Sequence, residues 1–245
     1  MSTDIAISRE SAILTIKLDR QSKKNAVTRA MYSAMATALR EAASDDSTKV
    51  VVFKGDRDFS SGNDLVDFLE VPPSDHDAPV FQFMMALSEC PLPVVAAVDG
   101  FAVGIGSTLL PHCDFIYASD RAQFMMPFIN LNLRPEFGST QLLPQLAGYP
   151  MAAEMLLLGE KFDAATALQA RLITAIVAPE ELDAKVAEVA HKLAGKLRPA
   201  LIETKQLLRR QAEPMAERIK VEGAAFMATL STDETKAAFN KILHR

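Results

Sequence analysis

Two glycine-containing turns carry the chemistry that can be read from this chain of 245 residues. The first, Phe59-Ser60-Ser61-Gly62-Asn63-Asp64-Leu65, lies between an apolar run at 50–53 and a helical pattern holding Val66, Phe68 and Leu69. The second, DGFAVGIGST from Asp99 to Thr108, follows the apolar run Val94 to Val98. A strand-to-helix turn of this kind aims unpaired backbone N–H groups and a helix N-terminus at one point, where negative charge is stabilised. Two such turns brought together could hold one oxygen as it gains charge, each donor being worth ~3–4 kcal/mol of barrier. Taken singly, each turn reads first as a helix N-cap after a buried strand. Gly104-x-Gly106 is no dinucleotide fingerprint, because Leu109 stands where the third glycine belongs. The second turn brings no acid or base either: its helix opens with Ser107 and Thr108. A carboxylate stands farther along, in Arg134-Pro135-Glu136-Phe137-Gly138. Read alone, Glu136 is a helix N-terminal acid favoured by the dipole.

The elements that must position these residues are those of an α/β core. Ile5 to Ile7 and Ala12 to Leu18 predict a hairpin around Arg9-Glu10-Ser11. Thr28 is placed to cap a helix with Met31, Met35 and Leu39 on one face. Val50 to Phe53, Val94 to Val98 and Phe115 to Tyr117 are continuous apolar strands, as expected when both faces of a sheet are covered. Pro72 to Pro79 (PPSDHDAP) is a polar, acidic loop. The second half is mostly helical. Pro150 and Gly159 bracket one helix, Asp163 opens another, and Leu172 to Val177 reads as a strand. Pro179, Pro199 and Pro214 mark further helix starts. Apolar stripes follow at Leu182, Val186, Val189 and Leu193, then at Ile219, Phe226 and Leu230. Ser231 with Glu234 forms a capping box for a last helix bearing Phe239, Ile242 and Leu243.

Bulk properties narrow the function. Hydrophobic residues make up 49% and charged residues 23%, as in ordinary globular proteins. The net charge of −5 and the lack of a basic face exclude nucleic acid as a main partner. Two cysteines without CxxC spacing read as buried thiols of a reducing compartment, and four scattered histidines form no metal-ligand pattern. No signal peptide and no membrane span are expected, which points to a cytoplasmic enzyme.

With their flanks, the turns resemble the crotonase superfamily, the enoyl-CoA hydratase/isomerase family, over nearly the whole chain. Leu18-Asp19-Arg20-Gln21-Ser22-Lys23-Lys24-Asn25-Ala26 matches its Leu-x-Arg-x-x-x-x-Asn-Ala element. Phe59 to Leu65 matches Phe-Ser-x-Gly-x-Asp-Leu, Pro93 to Gly104 matches Pro-Val-x-Ala-x-x-x-Gly-x-Ala-x-Gly, and Cys113 to Ala118 follows at the usual spacing. Asp233 to Phe239 looks like the family's C-terminal helix.

The resemblance implies a spiral of ββα units over residues 1–195 and a C-terminal helical trimerisation region over 196–245. It implies an acyl-CoA thioester substrate, no separate cofactor, no metal, and a homotrimer or dimer of trimers. It places the oxyanion-hole N–H groups at Asn63 and Ile105, where the commonest residues are Ala and Gly; a bulky Ile105 is expected to narrow the site. It sets Lys24, Asn25 and Ala26 near the adenine and pantetheine arm, with Ser60, Gly62, Asp64 and Leu65 along it, and counts Gly104 and Pro135 as substrate contacts. Phe101, Met125, Met126, Phe128, Leu131 and Leu133 are the expected apolar lining.

Hydratases of the family use two glutamates, at positions filled here by Thr108 and Phe128. The Δ3,Δ2-enoyl-CoA isomerase branch instead carries one glutamate in a Pro-Glu-Gly or Thr-Glu-Gly turn. That turn aligns with Pro135-Glu136-Phe137, Phe137 replacing the usual glycine. The resemblance therefore implies an isomerase with Glu136 as base, its pKa raised by apolar walls, and Arg134 facing out. The alternatives are another reaction of the family through the same oxyanion hole, including weak hydration or isomerisation of a ring-derived acyl-CoA, and a non-catalytic acyl-CoA-binding scaffold.

Overall fold

The computed structural model describes residues 4–230 and 232–243. The chain divides into two compact units, Met1–Arg198 and Pro199–Arg245.

In the first unit the expected hairpin forms between β1 (Ile5–Glu10) and β2 (Ile13–Leu18), paired antiparallel from Ile5↔Leu18 to Glu10↔Ile13; Arg9 and Glu10, expected in the turn, are paired strand residues, and the turn is Ser11-Ala12. α1 (Arg29–Ser44) starts at Thr28, whose hydroxyl accepts the Met31 N–H at 3.3 Å. After α1 come β3 (Val50–Lys54), α2 (Leu65–Glu70), α3 (Pro79–Ser88), β4 (Val94–Val98), β5 (Phe101–Val103) and α4 (Ile105–Thr108). β6 (Phe115–Ser119), β7 (Gln123–Met125), α5 (Ser139–Ala147), α6 (Tyr149–Ala153), β8 (Lys161–Asp163), α7 (Ala164–Gln169), β9 (Ala175–Val177) and α8 (Leu182–Ala194) complete the unit.

The large sheet runs β1-β2-β3-β4-β6-β9, and every pairing after the hairpin is parallel. Its apolar strands are buried on both faces, because successive side chains point to opposite sides. Val50 and Val52 join Ile13, Val95 and Tyr117 under Leu182, Val186 and Ala190 of α8. Val189 and Leu193 pack against the same cluster, which accounts for the apolar stripe of that helix. On the other face Phe53 meets Phe83 of α3 edge-on at 6.2 Å, and Phe83 meets Tyr32 of α1 at 5.5 Å. Each such fully buried side chain contributes about 1.5–3 kcal/mol.

A second, smaller layer sets up the site. β5, β7 and β8 form a three-stranded sheet, and two isolated parallel bridges, Ser60↔Ala102 and Val27↔Asn63, extend it. Several turns of the chain thus cross from a strand of the large sheet to this layer and then enter a helix. This is the ββα spiral, and both glycine turns lie at the crossing into a helix.

Some local expectations shift. The strand expected over Leu172 to Val177 is confined to β9, because the Leu172 N–H donates to Ala167 O at 2.9 Å and closes α7 instead. The helix between Pro150 and Gly159 begins as α6 and ends in a wide π turn, Glu154–Leu158, with Gly159 at φ 61°.

The second unit holds α9 (Arg198–Arg209), α10 (Met215–Leu230) and α11 (Asp233–Leu243). Arg218 ties it locally: its Nε donates to Glu213 at 2.7 Å and its Nη1 to Leu207 O at 3.2 Å. Ile219 and Phe226 on α10 are exposed. The expected capping residue Ser231 and the side chains of Ile242 and Leu243 lie outside the described residues. Thr232 Oγ1 accepts the Thr235 N–H at 3.3 Å at the start of α11. No helix among the described residues is long and apolar enough to cross a membrane.

Candidate active site

The first turn is anchored through its backbone. Ser60 N–H donates to Phe101 O at 2.7 Å, and Val103 N–H donates back to Ser60 O at 2.8 Å, which locks the turn to β5. Gly62 has φ 99°, and a Cβ there would lie 3.1 Å from Val103 O, so glycine is required twice over. Gly104 has φ 56° and ψ −120°, a conformation open only to glycine, and a Cβ on it would sit 3.8 Å from Gly62 Cα. The two turns therefore meet glycine to glycine. The residues that follow are Asn63 and Ile105. Among the described residues neither backbone N–H has an acceptor.

Around this junction lies a cavity of about 470 Å³. Of the expected site residues, Ala26, Gly62, Asn63, Asp64, Leu65, Gly104, Phe128 and Leu131 line it, together with Lys23 and Leu133. Asp64 Oδ1 caps α2 by accepting the Val66 and Asp67 N–H groups at 3.0 and 3.1 Å. Its Oδ2 takes Arg20 Nη1 at 2.6 Å. The Asp67 N–H and then the Arg20 guanidinium hold this carboxyl below the usual carboxylate range.

Several expected contacts fall elsewhere. Asn25 is fully buried, its Oδ1 taking Arg20 N–H at 2.8 Å and its Nδ2 donating to Asp58 O at 2.7 Å. Ser60 is fully buried as well, donating to Asn25 O at 2.9 Å and accepting the Gly62 N–H at 3.1 Å. Both side chains brace the turns and leave no face for a ligand. Lys24 Nζ lies 4.5 Å over the Phe101 ring, and Phe101 lines a separate hollow with Arg57 and Arg121. Ile105 is 1% exposed and absent from the cavity wall, so its bulk fills core and does not narrow the site. Pro135 and Glu136 are also absent from that wall.

Glu136 stands on a pinned backbone. Phe137 and Gly138 are both left-handed, φ 56° and 66°. Phe137 holds its strained conformation because its ring stacks on His112 at 4.0 Å, its carbonyl lies 2.8 Å from His112 Nε2, and its far edge meets Phe83 at 6.0 Å. The Glu136 carbonyl accepts Ser139 N–H at 3.1 Å and Ser139 Oγ–H at 2.7 Å. Although the residue is only half-buried, Oε2 is sealed from solvent and has no hydrogen-bond partner. Oε1 accepts the hydroxyl of Thr108, at the end of α4. Burial pushes the carboxyl up to about 7, and the Thr108 hydroxyl restrains the rise. Arg134 turns out, as expected, and donates to Asn132 O at 2.9 Å.

One residue escaped the sequence reading. Tyr32 is fully buried on α1 beside Met31 and Met35, and its hydroxyl donates to Asn63 Oδ1. Burial, with the Glu136 charge second, raises its pKa well above the usual phenol value, so it stays a donor. Its signal was a hydroxyl on an otherwise apolar helix face.

The arrangement offers one desolvated base that can ionise near neutrality and unpaired N–H donors at the meeting of two turns. That suits removal of a proton from carbon next to a carbonyl whose oxygen then gains charge.

The model of the enoyl-CoA hydratase/isomerase family matches residues 8–243. The chain is 39% identical over 192 residues to enoyl-CoA delta isomerase 2 of Rattus norvegicus, taking in 76% of this chain and 49% of that protein. It is 34% identical over 253 residues to the peroxisomal enoyl-CoA delta isomerase 3 of Mus musculus, covering 100% of this chain and 79% of that one. A hydratase matches as well: the 2,3-dehydroadipyl-CoA hydratase of Escherichia coli (strain K12) is 32% identical, over 86% of this chain and 84% of that protein. Among solved structures, OdaA of Pseudomonas aeruginosa superposes with a TM-score of 0.82 at 43% identity, each chain being covered 100%. The chain spans about half the length of the rat relative.

Proposed function

This chain belongs to the enoyl-CoA hydratase/isomerase family, and from that premise we propose that it is a Δ3,Δ2-enoyl-CoA isomerase acting on fatty-acid-type acyl-CoA. In a 3-enoyl-CoA the C2 proton lies between the thioester and the double bond. Glu136 takes that proton, and the electron pair spreads over a dienolate whose charge rests largely on the thioester oxygen. The N–H groups of Asn63 and Ile105 stabilise that oxygen. Glu136, now a carboxylic acid, returns the proton at C4, and the product is the 2-enoyl-CoA. The transfer needs one mobile acid/base and no water.

The observation that carries this reading is the state of Glu136: a sealed, unpartnered Oε2 and a pKa brought to about 7. Thr108 and Phe128 stand where hydration would call for glutamates, and Thr108 serves the remaining carboxylate as a hydrogen-bond donor. The carboxylate that does line the cavity, Asp64, is committed to Arg20 and to capping α2. Lys23 and Ala26 at the cavity rim suit the CoA end, and Leu65, Phe128 and Leu131 the apolar part. We assign oligomerisation, as a trimer or a dimer of trimers, to the helical region 196–245; the exposed Ile219 and Phe226 favour it.

The test is turnover of trans-3-hexenoyl-CoA and of trans-2-hexenoyl-CoA by the wild type and by Glu136→Gln. The wild type isomerises the first without hydrating the second. In the variant isomerisation falls by about 10²–10⁴ while acyl-CoA binding is kept. Unchanged turnover in the variant removes Glu136 as the base, and hydration without isomerisation overturns the reaction.

A further inference from the structure

The oxyanion hole described above uses only the backbone of Asn63, yet its side chain is held too. Asn63 Oδ1 accepts the Tyr32 hydroxyl. An amide whose oxygen is held in this way has its nitrogen end fixed as well, since the two are joined through one planar carbon. Among the described residues Asn63 Nδ2 has no acceptor, and it is not one of the sealed polar atoms. Asn63 lines the 470 Å³ cavity, and its backbone N–H is one of the two unpaired donors there. One residue of the cavity wall thus carries two N–H sources without acceptors among the described residues. Only one of them, the side chain, needs outside support to hold its orientation.

We propose that Asn63 Nδ2 is a third hydrogen-bond donor to the thioester oxygen, and that Tyr32 is the positioning residue that orients it. The proposal rests on the isomerase reading above. Tyr32 suits the task because it is rigid: it is fully buried, sits on the 16-residue helix α1, and packs on Phe83 at 5.5 Å. It also remains protonated, since burial and the nearby Glu136 charge both oppose its ionisation. A donor fixed before the reaction needs no reorganisation as charge develops, so its effect falls on the transition state more than on substrate binding.

The experiment compares Asn63→Ala, Asn63→Leu, Tyr32→Phe and the double variant Tyr32→Phe/Asn63→Ala. Two readouts are used: steady-state isomerisation of trans-3-hexenoyl-CoA, and the near-ultraviolet enolate band of bound acetoacetyl-CoA. The C2 proton of acetoacetyl-CoA is acidic enough to be lost to Glu136 without turnover. Asn63→Ala is expected to lower kcat about 10²-fold with KM little changed. Tyr32→Phe, which keeps the amide but frees it, is expected to lower kcat about 10-fold. The double variant should be no slower than Asn63→Ala alone, because the two residues act as one unit. The enolate band should weaken in the same order, with butanoyl-CoA affinity unchanged.

Wild-type kcat and enolate band in Asn63→Ala and in Tyr32→Phe overturn the proposal. A rise in KM with kcat intact, or effects that multiply in the double variant, also overturn it. Should Tyr32→Phe not fold, Asn63→Leu decides: it keeps the volume and loses the amide, so it must be as slow as Asn63→Ala. A wild type that neither isomerises nor forms the enolate defeats the isomerase reading and this inference with it. An active wild type with unaltered variants defeats this inference alone.

Discussion

Replacing Glu136 by Gln should stabilise the fold, and by an amount that depends on pH in a defined way. The carboxyl titrates at about 7 in the folded chain, against an ordinary value of 4.5, because it is desolvated. The folded state therefore holds this proton more tightly than the unfolded state does. Below pH 4.5 both states carry it and no penalty exists. As pH rises toward 7 the unfolded chain ionises freely and the folded chain does not, so stability is lost. Above 7 the loss is complete, at about 3 kcal/mol. Gln cannot ionise, and its Oε1 still accepts from Thr108, so the variant escapes the penalty without losing the hydrogen bond. All other groups titrate alike in both proteins and cancel in the difference. The variant should be about 1 kcal/mol more stable than the wild type at pH 5 and about 3 kcal/mol more stable at pH 8.5. In thermal melts the latter gap is on the order of 10 °C for a chain of this size. Urea titrations of both proteins at several pH values between 5 and 8.5 give the curve. A difference that is flat across pH, or one that favours the wild type at pH 8.5, would refute the claim that Glu136 is a strained, desolvated acid.

Further consequences can be measured on the same enzyme. Because the base must be ionised to act, kcat/KM should rise with pH through about 7, reaching roughly a tenth of its plateau at pH 6; a flat profile from pH 5.5 to 8 contradicts this. Thr108→Val removes the hydroxyl that, among the described residues, favours the Glu136 carboxylate, so the inflection should move up by about one pH unit or more. A profile that stays put, or moves down, shows that Thr108 does not restrain that acid. Gly104→Ala forces a Cβ into a backbone conformation reserved for glycine, which displaces the Ile105 N–H. Loss of one such donor costs about 10²–10³ in kcat, so a variant within about twofold of wild type would separate the second turn from the chemistry.

The parts of this molecule that sequence carries well are those decided by near neighbours. Val50 to Phe53 and Val94 to Val98 read as strands covered on both sides because every position is apolar, and helices do cover both. The glycine turns were legible because only glycine tolerates the angles at Gly62 and Gly104. Contacts between distant segments were not legible. The Tyr32 to Asn63 hydrogen bond joins residues 31 apart in sequence, and a tyrosine on a helix face does not announce what its hydroxyl will meet. Asn25 and Ser60 sit within motifs that border the cavity, yet they face the framework; a motif gives the neighbourhood of a residue and not the direction of its side chain. Ile105 misled for the same reason, since bulk narrows a site only when it turns toward it. The opposite held for Glu136. Its flanking apolar residues forecast the direction of the pKa shift, while its size comes from the sealing of Oε2, which depends on the folded chain.

The shortness of α4 has a consequence of its own. Its four residues begin with the Ile105 N–H, assigned above to the anion site, and end with the Thr108 hydroxyl that holds Glu136, so a single helical turn, about 5 Å long, links the two. On the isomerase reading proposed above, it would serve as a ruler that keeps base and anion site at one spacing for the part that every acyl chain shares. Whatever length of tail the enzyme accepts can then be set at Leu65, Phe128 and Leu131 across the cavity, without moving either mark on the ruler. Substitutions along that wall should exchange one acyl chain for another while the chemistry stays the same. A substitution inside α4 disturbs base and anion site together.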